Sequence, residues 1–247
     1  MQSTNPLPVQ SHCLLDQLQD GTIAADRLLD LLRRYRLMPK LLQEVVIDDA
    51  IAPQPCDRAE IFEAYRQFYT QYNIKSDEQF QAWLDRNRTD RDQIEAMITR
   101  NLKLEKFKQE RWGHQLESYF LKRKRFLDRV IYSLIRVDSP TIARELYFRL
   151  QAGEASFSDL AKRYSKGHES QTNGVLGPVE MNQPHPALAE ILATHAPGEL
   201  TPPIHIEDWV ILARVEQFFP AQLDDAMRQR LLHELFEEWL DTQLATL

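Results

Sequence analysis

The placement of helix breakers constrains this chain more than any other feature. No proline occurs between Pro55 and Pro140, and Gly113 is the one glycine between positions 22 and 152. Proline removes a backbone donor and clashes with the preceding turn, and glycine costs about 1 kcal/mol inside a helix, so a long stretch lacking both is expected to be helical. Five of the seven glycines then fall within 153–198, and eight of the 13 prolines follow position 139. That second part must turn often, and its β-branched runs between turns predict a mixture of strands and helices. The expected class is α+β, with a helical domain over 1–128, a small α/β domain over 129–219 and a C-terminal helix over 220–247.

Within the helical part, Leu28, Leu29, Leu31, Leu32 and Tyr35 space as one amphipathic helix, and Pro39 opens a second with Leu41, Leu42, Val45 and Val46. Asp57 with Glu60, and Ser76 with Gln79, have the spacing of capping boxes. A long helix is expected from about Asp90 to about Leu127, kinked or interrupted at Gly113. The mixed part opens with the apolar run Val130 to Val137, which reads as a buried strand. Ser139-Pro140 then starts a helix that ends at Gly153, and Phe157, Leu160, Ala161 and Tyr164 share one face of a second. Residues 165–187 read as loop, 187–194 as a third short helix, and 203–206 and 209–215 as two strands joined by Glu207-Asp208. The tail after Pro220 carries Met227, Leu231, Leu235, Leu240 and Leu244 along one helical face, with Phe236 and Trp239 adjoining. A lone helix with two aromatics on its apolar side needs a covering surface; the helical domain is the expected one, with an intermolecular partner as the alternative.

Composition excludes several functions. The net charge is −7, a poor match to a nucleic-acid backbone. The basic residues concentrate in 101–136, with ten against four acidic, densest at Lys122 to Arg125; this is read as a solvated face, with docking to an acidic partner as the alternative. Two cysteines, Cys13 and Cys56, form neither a disulfide framework nor a zinc site. None of the seven histidines pairs with another at metal-binding spacing, and no phosphate loop or nucleophile elbow occurs. No apolar run reaches the roughly 18 residues a membrane span needs. The N-terminus, broken by Pro6 and Pro8, lacks the basic start and apolar run of a signal peptide, so the expected location is the cytoplasm. No metal or cofactor is expected.

One ordered set of motifs goes further. Phe157-Ser158-Asp159-Leu160-Ala161-Lys162-Arg163-Tyr164-Ser165, then Asn173-Gly174-Val175-Leu176-Gly177-Pro178-Val179, then the segment from Gly198 to Glu216, resemble in order and spacing the parvulins, rotamases that isomerise X-Pro bonds. The long helix leading into the first strand and the final helix add a resemblance to SurA- and PpiC-type chaperone-foldases, whose N-terminal helical domain is completed by a C-terminal helix. The whole chain is similar to parvulin-like proteins of cyanobacteria, some of them encoded with peptide or protein exporters.

The resemblance implies a site and its defects. Parvulins carry one histidine on the first strand and another on the last, facing each other beneath the substrate ring; the aligned positions here are Tyr132 and Val210. The positions nearest the family's pocket-wall residues are Pro184 and Leu188, and Leu176 and Trp209 join the expected substrate-binding set. The family's Cys or Asp after the Tyr-Ser pair has no counterpart in Lys166-Gly167-His168. Rotamase chemistry needs no nucleophile. It needs an apolar pocket and a polar arrangement that favours the twisted amide, against a barrier of roughly 18–20 kcal/mol. Without the histidine pair, weak or absent catalysis is expected. The implied function is a SurA-like chaperone or adaptor binding unfolded or proline-containing polypeptide, with an exporter component as a further partner and no nucleic acid. The alternatives are an active peptidyl-prolyl cis-trans isomerase and a structural subunit of a larger complex.

Overall fold

The computed structural model describes residues 21–246 and, ahead of them, Leu14, Gln17 and Leu18; Pro6, Pro8, His12 and Cys13 lie outside the described residues. The chain is α+β. Before the first strand come α1 (Ala25–Arg34), α2 (Met38–Ile51), α3 (Arg58–Gln71), α4 (Asp77–Asn87), α5 (Arg91–Trp112) and α6 (Leu116–Leu127). Their starts follow the caps written in the sequence. Glu60 N donates to the Asp57 carboxylate at 2.9 Å while Asp57 N donates back to Glu60 at 2.8 Å, satisfying two first-turn donors reciprocally. Asp90 and Gln93 repeat the arrangement at α5, and Ser76 caps α4. Gly113 does interrupt the expected long helix: Gly113–Gln115 is a single 3-10 turn between α5 and α6.

After α6 come β1 (Arg129–Val137), α7 (Pro140–Gln151), α8 (Phe157–Tyr164), a 3-10 turn at His168–Thr172, β2 (Val175–Glu180), α9 (Pro186–Thr194), β3 (Ile204–Ile206), β4 (Trp209–Phe219) and α10 (Asp225–Leu244). The four strands form one antiparallel sheet in the order β2-β1-β4-β3. Residues 165–187 are thus not all loop. They contain β2, six residues whose strand state depends on pairing with β1 rather than on local pattern. Gly177 within it has φ +108, and a Cβ there would stand 2.5 Å from the Val130 carbonyl oxygen; only glycine lets the two backbones approach this closely.

The chain divides into two compact units, Met1–His114 with Leu232–Leu247, and Gln115–Leu231. Helix α6 is therefore grouped with the sheet. In the sheet unit Asp128 ties three segments together. Its carboxylate takes hydrogen bonds from Lys124 of α6 and from the Ala221 backbone beyond β4, both at 2.7 Å, and its carbonyl accepts from Met181 N beyond β2 at 2.9 Å.

In the helical unit α5 is the hub. Arg100 binds Glu44 and Asp48 of α2 at 2.6 and 2.7 Å, and Lys106 binds Glu60 of α3 at 2.6 Å. Phe68, Ile74, Phe80, Leu84 and Ile94 form one core cluster. The C-terminal part of α10 supplies a second apolar contact: Trp239 lies 5.2 Å from the Phe107 ring and 6.3 Å from Trp112, and Phe236 lies 6.4 Å from Trp112. The tail covers its aromatics against the helical unit, as its apolar face requires. The faces of α1 and α2 differ from a closed amphipathic packing. Leu31 is buried, but Leu28, Leu29, Leu41, Leu42 and Val45 remain exposed. Among the described residues no helix is long and apolar enough to cross a membrane.

Ending the chain at Leu231 removes both tail aromatics at once. Since losing a single large buried aromatic costs about 3–5 kcal/mol, the truncated chain is expected to lose helical signal and unfold at much lower urea, read by far-UV circular dichroism. A truncated chain with an unchanged midpoint would contradict this packing role.

Candidate functional site

Strand β1 runs down the middle of the sheet, and its alternation sorts the site. Val130, Tyr132 and Leu134 point into one apolar cluster with Met181, Leu188, Leu192, Ile206, Ile211, Ala213 and Val215. Ile135 and Val137 point into another, with Ala143, Leu146, Phe157, Leu160, Ala161, Val210 and Leu212. Successive side chains of a strand face opposite sides of a sheet, so the two clusters occupy its two faces.

This arrangement unites some of the expected residues and separates others. Tyr132 is buried, Leu176 is its partner across the β1–β2 pairing, Leu188 of α9 packs beneath it, and Trp209 packs at the edge of the same cluster. Val210 does not join them. It is buried on the opposite face and pairs in register with Val137 and His205. The expected facing pair of Tyr132 and Val210 is therefore absent. The β4 residues that share the face of Tyr132 are Trp209, Ile211, Ala213 and Val215. Pro184 is half-buried in the connection ahead of α9, outside this cluster. His168, His185 and His205 are exposed.

Polar chemistry does exist beside Tyr132, in a set of residues that motif spacing did not single out. Arg136 of β1 grips Glu169 through two contacts, Nη2 to Oε2 at 2.8 Å and Nε to Oε1 at 3.2 Å. The Ser165 hydroxyl donates to the same carboxylate at 2.6 Å and accepts the Arg136 backbone N–H at 2.9 Å. Glu169 is 1% exposed. Gly167 makes this approach possible, since a Cβ there would lie 2.2 Å from both Arg136 Nη2 and Glu169 Oε2. The Arg136 guanidinium carbon also stands 5.7 Å from the Trp209 ring. The sequence did hold one signal, an arginine set in an otherwise apolar strand run, which calls for a buried partner.

The titration behaviour follows from these contacts. Burial alone pushes the Glu169 carboxyl up, but the hydrogen bonds from Arg136 and Ser165 more than offset it and hold the group below the ordinary carboxylate value. Glu169 in turn holds the Arg136 guanidinium up. The Tyr132 hydroxyl is pushed up, first by burial and then by Glu169, with Arg136 opposing. Tyr132 therefore stays protonated at neutral pH and can donate one hydrogen bond. The nearby positive charge is already bound to Glu169 and supplies little field to a twisting amide.

Because the folded-state pKa of Glu169 is lowered, its contribution to stability is present at neutral pH and is lost as pH falls below the ordinary value of about 4.5. Glu169→Gln is expected to cost about 3 kcal/mol at pH 7, the lower end of the range for breaking a buried pair. Urea unfolding of the two proteins should converge as pH falls progressively below 4.5; a gap independent of pH would refute the ion-pair account.

Comparison with known proteins bears on the same region. The family model described as "Rotamase: PPIC-type PPIASE domain" matches residues 136–217. No curated protein matches the chain. Among solved structures, the chain is similar to the peptidylprolyl isomerase PrsA from Bacillus cereus, at 16% identity and TM-score 0.49, covering 91% of this chain and 87% of that one. It is similar to PrsA from Bacillus anthracis at 18% identity and TM-score 0.42, covering 83% and 94%. It also resembles one of the SurA-like chaperones of Campylobacter jejuni at 16% identity and TM-score 0.38, covering 92% and 83%. The order of strands and helices, the motif segments and the family match agree, and the chain carries a parvulin-type rotamase domain of the PPIC class over residues 136–217.

Proposed function

We propose that the chain is a polypeptide-binding chaperone or adaptor whose rotamase domain holds proline-containing segments with little or no isomerisation. The observation that carries this reading is the composition of the sheet face around Tyr132. It offers one phenolic donor, apolar side chains from β4 and α9, and an arginine already bound to Glu169. A rotamase must stabilise the twisted amide more than the planar one, and this buried face sets Leu176 and Val215, not a second polar group, opposite Tyr132; its partly buried edge is what a peptide can reach. Leu176 and Trp209, both partly buried, are the binding residues at its edge. In the helical unit the exposed leucines of α1 and α2 add apolar surface suited to unfolded chain. The resemblance to exporter-associated parvulin-like proteins extends the reading to delivery of clients to an exporter component.

Two measurements on the full chain test it together. A permanently unfolded, proline-containing polypeptide is expected to bind, seen by fluorescence anisotropy. The slow phase of a proline-limited refolding protein, which takes tens of seconds or more uncatalysed, is expected to keep its rate at equimolar chain. Acceleration abolished by Tyr132→Phe would make the chain an active isomerase. Absence of any polypeptide binding would leave the structural-subunit reading.

A further inference from the structure

The helical unit holds a surface groove of about 610 Å³ that the rotamase motifs do not involve. Phe62, Tyr65 and Tyr69 of α3 supply its aromatic surface, and Arg66, Lys75 and Arg91 supply its charge; among the described residues no acidic side chain lines it. The aromatic wall is fixed from below. Tyr65 and Tyr69 stand 6.0 Å apart edge to face, and each packs on Phe80, at 6.2 and 5.3 Å. Phe80 is itself 1% exposed within the core cluster of this unit. Such a wall needs no reordering to receive a ligand ring. Phe62 is different, being 71% exposed at the open side of this wall.

The cations are not equivalent. Arg66 is held by Glu63 through two bonds at 2.6 and 2.8 Å, so its charge is largely met. No ion pair to Lys75 or Arg91 occurs among the described residues, and Arg91 lies over the Phe80 ring, its guanidinium carbon 5.1 Å from the centroid. The groove therefore presents positive charge at Lys75 and Arg91 beside fixed aromatic faces, while Glu95 and Asp92 of α5 oppose that charge at the Tyr65 hydroxyl, whose pKa burial and Glu95 push up. Local potential of this kind selects a partner of opposite sign.

We infer that this groove is a second polypeptide site, one that takes a segment carrying an aromatic side chain next to carboxylates. The ligand ring packs among Phe62, Tyr65 and Tyr69, and its flanking carboxylates meet Lys75 and Arg91. The inference rests on the polypeptide-binding reading above and narrows it to a client chemistry. A peptide fits the groove better than a nucleic acid, whose continuous phosphates would meet an acidic molecule beyond these two cations.

The test uses the full chain and three fluorescein-labelled peptides: Gly-Glu-Phe-Glu-Gly, the same with lysine for glutamate, and the same with alanine for phenylalanine. The glutamate–phenylalanine peptide is expected to bind at least tenfold more tightly than either control, with its advantage over the lysine peptide shrinking at high salt. Phe62→Ser should weaken it about tenfold, as for an aromatic contact at a binding centre, and Lys75→Glu about fivefold, as for an exposed charge. Both side chains are exposed, so circular dichroism should show both variants folded. Equal binding of all three peptides, or indifference to both substitutions, would overturn the inference, as would equally tight binding of a thymidine oligonucleotide. If the variants still bind the unfolded polypeptide at full strength while losing nothing on the peptides, the groove fails and the polypeptide-binding reading stands. If no polypeptide binds at all, both fail.

Discussion

The alternation of side chains along β1 is the constraint on which the sheet unit depends. The strand is paired on both edges and covered on both faces, so each residue is committed to one of two environments. Tyr132 and Leu134 enter the face lined by α9; Ser133, Ile135 and Val137 enter the other. Ser133 bonds Glu216 of β4 at 2.5 Å, and Arg136 reaches Glu169. A one-residue slip would bury the arginine in the apolar cluster of α7 and α8 and turn Tyr132 away from α9. The antiparallel register to β4 then fixes which residues of that strand can meet Tyr132, and Val210 is not one of them.

Much of the fold was legible because local chemistry decided it. The capping pairs Asp57–Glu60 and Ser76–Gln79 placed two helix starts, and Gly113 placed the break before α6. The tail's need for a partner followed from Phe236 and Trp239. What sequence could not show were features decided at a distance. β2 is six residues with a glycine and a proline among them, and nothing local marks it as a strand. The facing of β4 was hidden because Val210, Ile211, Leu212 and Ala213 are all apolar, so a strand buried on both faces shows no alternation to read. Motif order correctly indicated the domain, yet placed Val210 on the wrong side of it. Ser165 lay inside a quoted motif, but its partner Arg136 is 29 residues away in the chain, beyond the reach of spacing.

The two units solve different problems. In the sheet unit the buried charges satisfy one another: Arg136, Glu169 and Ser165 close on themselves, and Asp128 is used up in holding chain segments together. Such pairs hold geometry more than they add stability. The helical unit instead leaves chemistry available, with exposed leucines on α1 and α2 and an aromatic, cationic groove along α3. The proposed polypeptide-holding role rests on this contrast between internally committed polar residues in the sheet unit and exposed apolar and aromatic surface in the helical one.

The most direct measurement is exchange spectroscopy on a short peptide with one X-Pro bond, recorded with substoichiometric full-length chain. Catalysis and binding separate cleanly there, because uncatalysed cis-trans exchange is far too slow to give cross-peaks. The account predicts shifts of the peptide signals from binding and no exchange cross-peaks between the cis and trans forms. Cross-peaks that vanish in the Tyr132→Phe chain would contradict it and establish that a single phenol on this face is enough for a rotamase.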